Sequence, residues 1–234
     1  MGGWEALATA AAIGHFEAVS RAEKPDPTEA IVLAWQPRAS RPALAALFAL
    51  DQRLAGVVSR AREPMLAQVR LAWWRERLGE GASAVPAGEP LLAELAAHWG
   101  AKTAELQSLI DGWEQLLGDA PLDDSPLNGF ADGRGRALAA FAVWAGAGEH
   151  RYAVHAAGRC WALADMASRS SDARERELAR SLGRNEPVAP IRPRSLRGIA
   201  VLGGLSRLAL QRGEPLLEGR GAAFAAMRLG LFGG

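Results

Sequence analysis

RPALAALFALDQRLAGVVSRAREPMLAQVRLAWWRERL, residues 41–78, carries two helical patterns in succession, divided at Glu63-Pro64. In the first, read over 42–61, Leu44, Leu47, Asp51, Leu54 and Val58 recur at steps of three and four and so share one helix face. Asp51 interrupts that apolar stripe. A lone carboxylate costs too much to bury, so Asp51 is expected to meet a cation or to serve a site. In the second, read over 64–79, Leu66, Val69 and Trp73 form one apolar row and Leu71, Trp74 and Leu78 another. Arg70 and Arg77 lie on the strip between the rows. Apolar rows on both flanks predict a helix surrounded by others, which makes Arg70 the expected partner of Asp51.

Outward from this stretch the helical period persists and strand signals are nearly absent. Further helices are read over 4–20, 27–35, 90–99, 102–118, 130–146, 150–170, 172–183, 194–211 and 214–230. Breaks fall at Pro37, Pro86 to Gly88, Pro121 to Pro126, Gly146 to Gly148 and Pro187 to Pro193. No linker is long enough to separate two cores and no internal repeat is present, so residues 1–234 are expected to form one all-α domain. In the helix over 150–170, Val154, Gly158, Trp161, Asp165 and Ser168 share a row with the following Asp172. If this row faces the first helix, Asp51, Asp165 and Asp172 converge on one interior cavity.

Composition narrows the function. With 49% apolar and 23% charged residues the chain has the balance of a globular protein, and 234 residues suffice to bury a core. A formal charge of +1 argues against a nucleic-acid partner. Apart from Lys24 and Lys102 the basic residues are arginines, which with the abundant alanine suggests a GC-rich bacterial genome. The single cysteine, Cys160, permits no intrachain disulfide and reads as a buried structural thiol. No apolar run reaches the ~18 residues of a membrane span, and Met1 to Glu5 lacks a signal-peptide pattern. The expected location is the cytoplasm, with a peripheral place at the inner membrane as a variant. His15, His98, His150 and His155 are scattered without zinc spacing. Gly133-Arg134-Gly135 follows no strand and reads as the start of a helix, not a phosphate loop. The tryptophans read as core. The C-terminal segment, with Arg207, Arg212, Arg220 and Arg228 beside Phe224, Met227 and Phe232, reads as docking on the bundle or on a second subunit rather than on a membrane.

Glu63-Pro64 followed by Val69-Arg70-Leu71 and Trp73-Trp74-Arg75 resembles the squalene/phytoene synthase family, in particular a branch that includes mitochondrial complex I assembly factors and bacterial relatives. The likeness extends from near Asp26 through Leu109 to Asp111, Phe130 to Leu138 and Gly158 to Asp172. It implies a helical bundle of the trans-isoprenyl diphosphate synthase type around a central cavity. The family's enzymes join two allylic diphosphates head to head with Mg²⁺ held by two Asp-rich motifs, because the cation must neutralise the departing diphosphate.

Against that pattern the acids are depleted. The first motif falls on Ala55, Gly56 and Ser59, with Asp51 one turn earlier. The second falls on Asp165, Ser168, Arg169, Asp172 and Ala173. In the segment Phe130 to Leu138, Arg134 and Arg136 stand where the family has small residues. The resemblance therefore implies a non-catalytic member that binds an isoprenoid diphosphate or lipid-like ligand, or acts as an assembly or scaffold partner of a membrane enzyme. Its ligand-binding candidates are Asp51, Arg70, Asp165, Arg169 and Asp172, with no metal or other cofactor, and a second copy of the chain is a further candidate partner. The alternative is an active Mg²⁺-dependent prenyltransferase with a rearranged site, in which Asp51, Asp165 and Asp172 hold one Mg²⁺ while Arg70 and Arg169 neutralise phosphate.

Overall fold

The computed structural model of the chain describes residues 26–61, 63–80, 89–118, 121–187 and 189–216, and among them every regular element is a helix. The helix read over 4–20 and residues 217–230 of the one read over 214–230, with Arg220, Phe224, Met227 and Arg228, lie outside the described residues, as does Phe232; the described residues 214–216 of that reading are not helical. Proline and short polar side chains set many of the helix starts. Helix α1 (Pro27–Trp35) opens on Asp26, whose carboxylate accepts a hydrogen bond from the Thr28 amide at 2.8 Å, with Pro27 in its first turn. It stops at Gln36, which turns extended ahead of Pro37. Helix α2 (Arg41–Ser59) carries Pro42 in its first turn, α3 (Pro64–Glu80) begins on proline, and α4 (Pro90–Trp99) does so too.

Helix α5 (Gln107–Glu114) is flanked by 3₁₀ turns over 100–106 and 115–117. Helix α6 (Asp124–Trp144) and α7 (Arg151–Arg169) are joined by a short connection turning at Gly146, which has φ +73°. Asp172 caps α8 (Ala173–Arg184), and α9 (Arg197–Arg212) ends on Gly213 in the left-handed region.

Two of the sequence expectations about helices change here. Gly133-Arg134-Gly135 is not a helix start. It lies in the middle of α6, which begins six residues earlier than read, at Asp124. Pro126 sits in its first turn, where the missing amide costs nothing, so a residue taken as a break belongs to the helix. Helix α3 is buried on one flank only. Ala67, Leu71, Trp74 and Leu78 pack inward, whereas Met65, Leu66 and Val69 are exposed by 72, 53 and 63%. The inward flank is pinned by Arg75, which donates to Asp111 and Glu114 of α5 at 3.0 and 2.8 Å.

Helix α6 is the axis of the packing. On one side Gly133 lies against Gly112 of α5; a Cβ added at Gly133 would sit 2.5 Å from the Ser108 carbonyl oxygen. On the other, a Cβ at Gly158 of α7 would sit 2.8 Å from the Gly135 Cα. Only glycine lets three helices approach this closely, and Arg134 lies between the two glycine contacts. Helix α2 joins the assembly through Phe48, edge-on to Trp161 of α7 at 5.4 Å, and through the Ala43 carbonyl, which accepts the Trp99 Nε1–H at 2.9 Å. Cys160 is buried, and burial pushes its thiol up to about 11, so it is an inert core side chain. No helix among the described residues is long and apolar enough to cross a membrane.

Candidate functional site

Asp51 of α2 is 2% exposed, as its stripe required, but its cation is Arg134 and not Arg70. Arg134 donates from Nε to Asp51 Oδ1 at 2.9 Å and from Nη2 to Asp51 Oδ2 at 2.6 Å. Such a two-pronged pairing is the strongest fit a guanidinium offers a carboxylate. Its third nitrogen, Nη1, donates to Asp165 Oδ2 of α7 at 3.0 Å. Arg70 is exposed on α3, because the flank expected to be covered faces solvent.

The buried guanidinium is enclosed by aromatic faces. Its carbon lies 4.1 Å from the Trp161 ring centroid, 4.6 Å from Phe130 and 5.1 Å from Trp113. Trp113 of α5 also donates from Nε1 to Asp51 Oδ1 at 2.8 Å. Burial opposes the charge on Arg134, yet Asp51 and Asp165, by attraction and hydrogen bonding, raise its pKa above the ordinary arginine value. Arg134 is therefore a permanent cation at the point where α2, α5, α6 and α7 meet.

Around this centre lies an outer layer. Arg169, one turn after Asp165, donates from Nε to Asp165 Oδ1 at 2.5 Å and from Nη2 to Asp26 Oδ2 at 3.1 Å. Attraction to Asp165 raises its pKa further. Glu29 of α1 is buried and accepts a hydrogen bond from Gln52, the neighbour of Asp51. Burial first, then Asp51 and Asp26, push its carboxyl up to about 8, with Arg134 opposing. Glu29 is thus mostly protonated at neutral pH.

Of the five candidates, Asp51, Asp165 and Arg169 come together and two do not. Arg70 is outside the site. Asp172 is spent as the cap of α8, accepting from the amides of Arg174 and Glu175 at 2.7 and 3.0 Å. Sequence reasoning missed the central role of Arg134, its cage of Trp113, Phe130 and Trp161, and the carboxyl of Glu29. The signal for Arg134 was present. Leu127, Phe130, Arg134, Leu138 and Phe141 form one buried row of α6, a charge within an apolar stripe like Asp51. Reading the helix from 130 cut that stripe short.

The Mg²⁺ that the resemblance implies does not match these donors. Mg²⁺ takes oxygen ligands in near-octahedral geometry, and the protein supplies them through carboxylate oxygens that are not already committed. Here both Asp51 oxygens are bound by Arg134 or Trp113, and both Asp165 oxygens are bound by Arg134 or Arg169. Ala55, Gly56 and Ser59 offer no carboxylate on α2. Among the described residues no cluster of three or more His, Cys, Asp or Glu side chains is arranged to hold a metal ion.

In this all-helical bundle the acids of α2 and α7 meet across a polar centre through Arg134. The family model described as squalene/phytoene synthase matches residues 22–184, from ahead of α1 to the end of α8, and the chain belongs to that family. No curated protein and no solved structure matches it.

Proposed function

We propose that this member of the squalene/phytoene synthase family is non-catalytic and works as an isoprenoid- or lipid-binding, or assembly and scaffold, protein. The observation that carries the reading is Arg134, held between Asp51 and Asp165 at 2.6–3.0 Å, so that the two acids at the centre of the bundle are already neutralised by an internal cation. A fixed guanidinium neutralises the acids internally and repels a divalent cation brought beside it. The exposed row Met65, Leu66 and Val69 supports the scaffold variant, because it puts three large apolar side chains on two turns of one surface helix. The alternative, an active prenyltransferase with one Mg²⁺ on Asp51, Asp165 and Asp172, draws no support from Asp172, whose carboxylate caps α8.

The test is incubation of the purified protein with farnesyl or geranylgeranyl diphosphate and Mg²⁺ or Mn²⁺, followed by measurement of pyrophosphate and hydrocarbon product. The reading expects no release above a boiled control. Turnover that disappears in Asp165→Asn would establish the prenyltransferase instead.

A further inference from the structure

Helix α1 is fastened very differently at its two ends. At the C-terminal end Gln36 donates to Ser40 Oγ at 2.8 Å and to the Ser195 carbonyl at 2.6 Å, and accepts from the Gly198 amide at 3.1 Å. Gly198 of α9 lies so close that an added Cβ would be 2.6 Å from the Val32 carbonyl oxygen. Ile31 and Trp35 pack on Val201 and Leu205 of the same helix. That end is an apolar, close-packed anchor.

Among the described residues the N-terminal end is held by polar contacts of Asp26 and Glu29, with Thr28 buried beside them. Asp26 pairs with Arg169, whose side chain is 65% exposed, so that link is easily exchanged for water. Glu29 is 6% exposed and accepts from Gln52. The charged groups acting on Glu29 come from every side but one: Asp51 on α2, Arg134 on α6, Asp165 on α7, and Asp26 just ahead of α1. Helix α9 presents Gly198, Val201 and Leu205 to α1. Among the described residues three carboxylates act on Glu29, and the cation that opposes them, Arg134, is already shared between Asp51 and Asp165. An ionised Glu29 would add a further negative charge beside Asp51, Asp26 and Asp165.

We propose that the first turn of α1 is a proton-operated strap, closed over the Asp51–Arg134–Asp165 centre while Glu29 is protonated and released, with Gln36 as its pivot, when Glu29 ionises. The position of Glu29 in the first helical turn favours its anion slightly. Burial and the neighbouring carboxylates outweigh that, raising its carboxyl from 4.5 to about 8. A raised acid binds its proton more tightly in the closed form, so closure is fully supported below pH 4.5, progressively lost up to about pH 8, and not weakened further above it. The strap depends on the central ion pair, and not on whether the protein catalyses a reaction.

Amide hydrogen exchange of the full-length protein, read by mass spectrometry on peptides covering 26–35, tests this. Wild type and Glu29→Gln are compared at equal pH, so that the intrinsic pH dependence of exchange cancels; glutamine keeps an acceptor for Gln52. The expected wild-type to variant ratio rises by up to about tenfold per pH unit between pH 5 and 8 and is level above. Peptides from α6 and α7 keep a constant ratio. A ratio for 26–35 that stays flat across the range overturns the strap. Should Glu29→Gln not fold, the infrared band of protonated carboxyl groups in the wild type decides. A band present at pH 7 that titrates away near pH 8 supports the strap, and its absence at pH 6 overturns it.

Discussion

At the scale of the residue, a buried charge is legible in sequence long before its partner is. Asp51 announced itself by interrupting a stripe of leucines, and it is buried and paired with a cation. Its partner is not legible in the same way, because Arg70 lies between two apolar rows and only the fold reveals that one of those rows faces solvent. The two arginines separate cleanly in a stability measurement. Removing one member of a buried pair leaves the other charge stranded, so Arg134→Ala is expected to lower the unfolding free energy by roughly 3–5 kcal/mol. Arg70→Ala, at an exposed position, is expected to stay within about 0.5 kcal/mol of wild type. Urea denaturation of both variants checks the pair. Equal stabilities would mean that Arg134 is not the counter-ion of Asp51.

At the scale of the element, proline placed most helix boundaries and misled at one of them. Pro27, Pro42, Pro64 and Pro90 all lie in first turns, and helices α1 to α4 follow the sequence reading within two residues at either end. Pro126 does the same for α6 but in sequence reads with Pro121 as one break, which conceals the row from Leu127 to Phe141 and with it Arg134. The glycines of α5, α6 and α7 were likewise unreadable, since a close approach between helices leaves no periodic trace in one strand of sequence. Their role is measurable. Gly133→Ala places a Cβ 2.5 Å from the backbone oxygen of Ser108, an obstacle that cannot rotate away. The expected loss is about 1–3 kcal/mol, at the upper end because backbone must move. Gly56→Ala in α2, whose nearest neighbour would be the flexible Arg60 guanidinium at 3.8 Å, is expected to gain about 0.5–1 kcal/mol. Thermal unfolding of the two variants in opposite directions would support the close packing around Arg134; a neutral Gly133→Ala would contradict it.

At the scale of the whole molecule, the helical class and the family were within reach of the sequence, because both are carried by local periodicity and by the segment 63–75. The chemistry of the centre was only half legible, because it depends on side chains from α2, α5, α6 and α7 that meet across long sequence separations. Depletion of acids in the family's motifs is legible in the sequence, and Arg134 interrupts an apolar row of α6, but that its guanidinium joins Asp51 to Asp165 is visible only in three dimensions. If Arg134 supplies the positive charge, the fold has no need of a divalent cation. The melting temperature is then expected to be the same in excess EDTA and in millimolar Mg²⁺, whereas a metal-dependent fold would lose stability in the chelator.

The most direct test is a Mn²⁺ titration followed by electron paramagnetic resonance, with farnesyl diphosphate alone and with farnesyl diphosphate plus the protein. An internal cation at Asp51 and Asp165 predicts superimposable curves, with all Mn²⁺ uptake accounted for by the diphosphate. Additional stoichiometric Mn²⁺ uptake in the presence of wild-type protein, abolished in Asp165→Asn, would show that the centre binds metal and contradict the account.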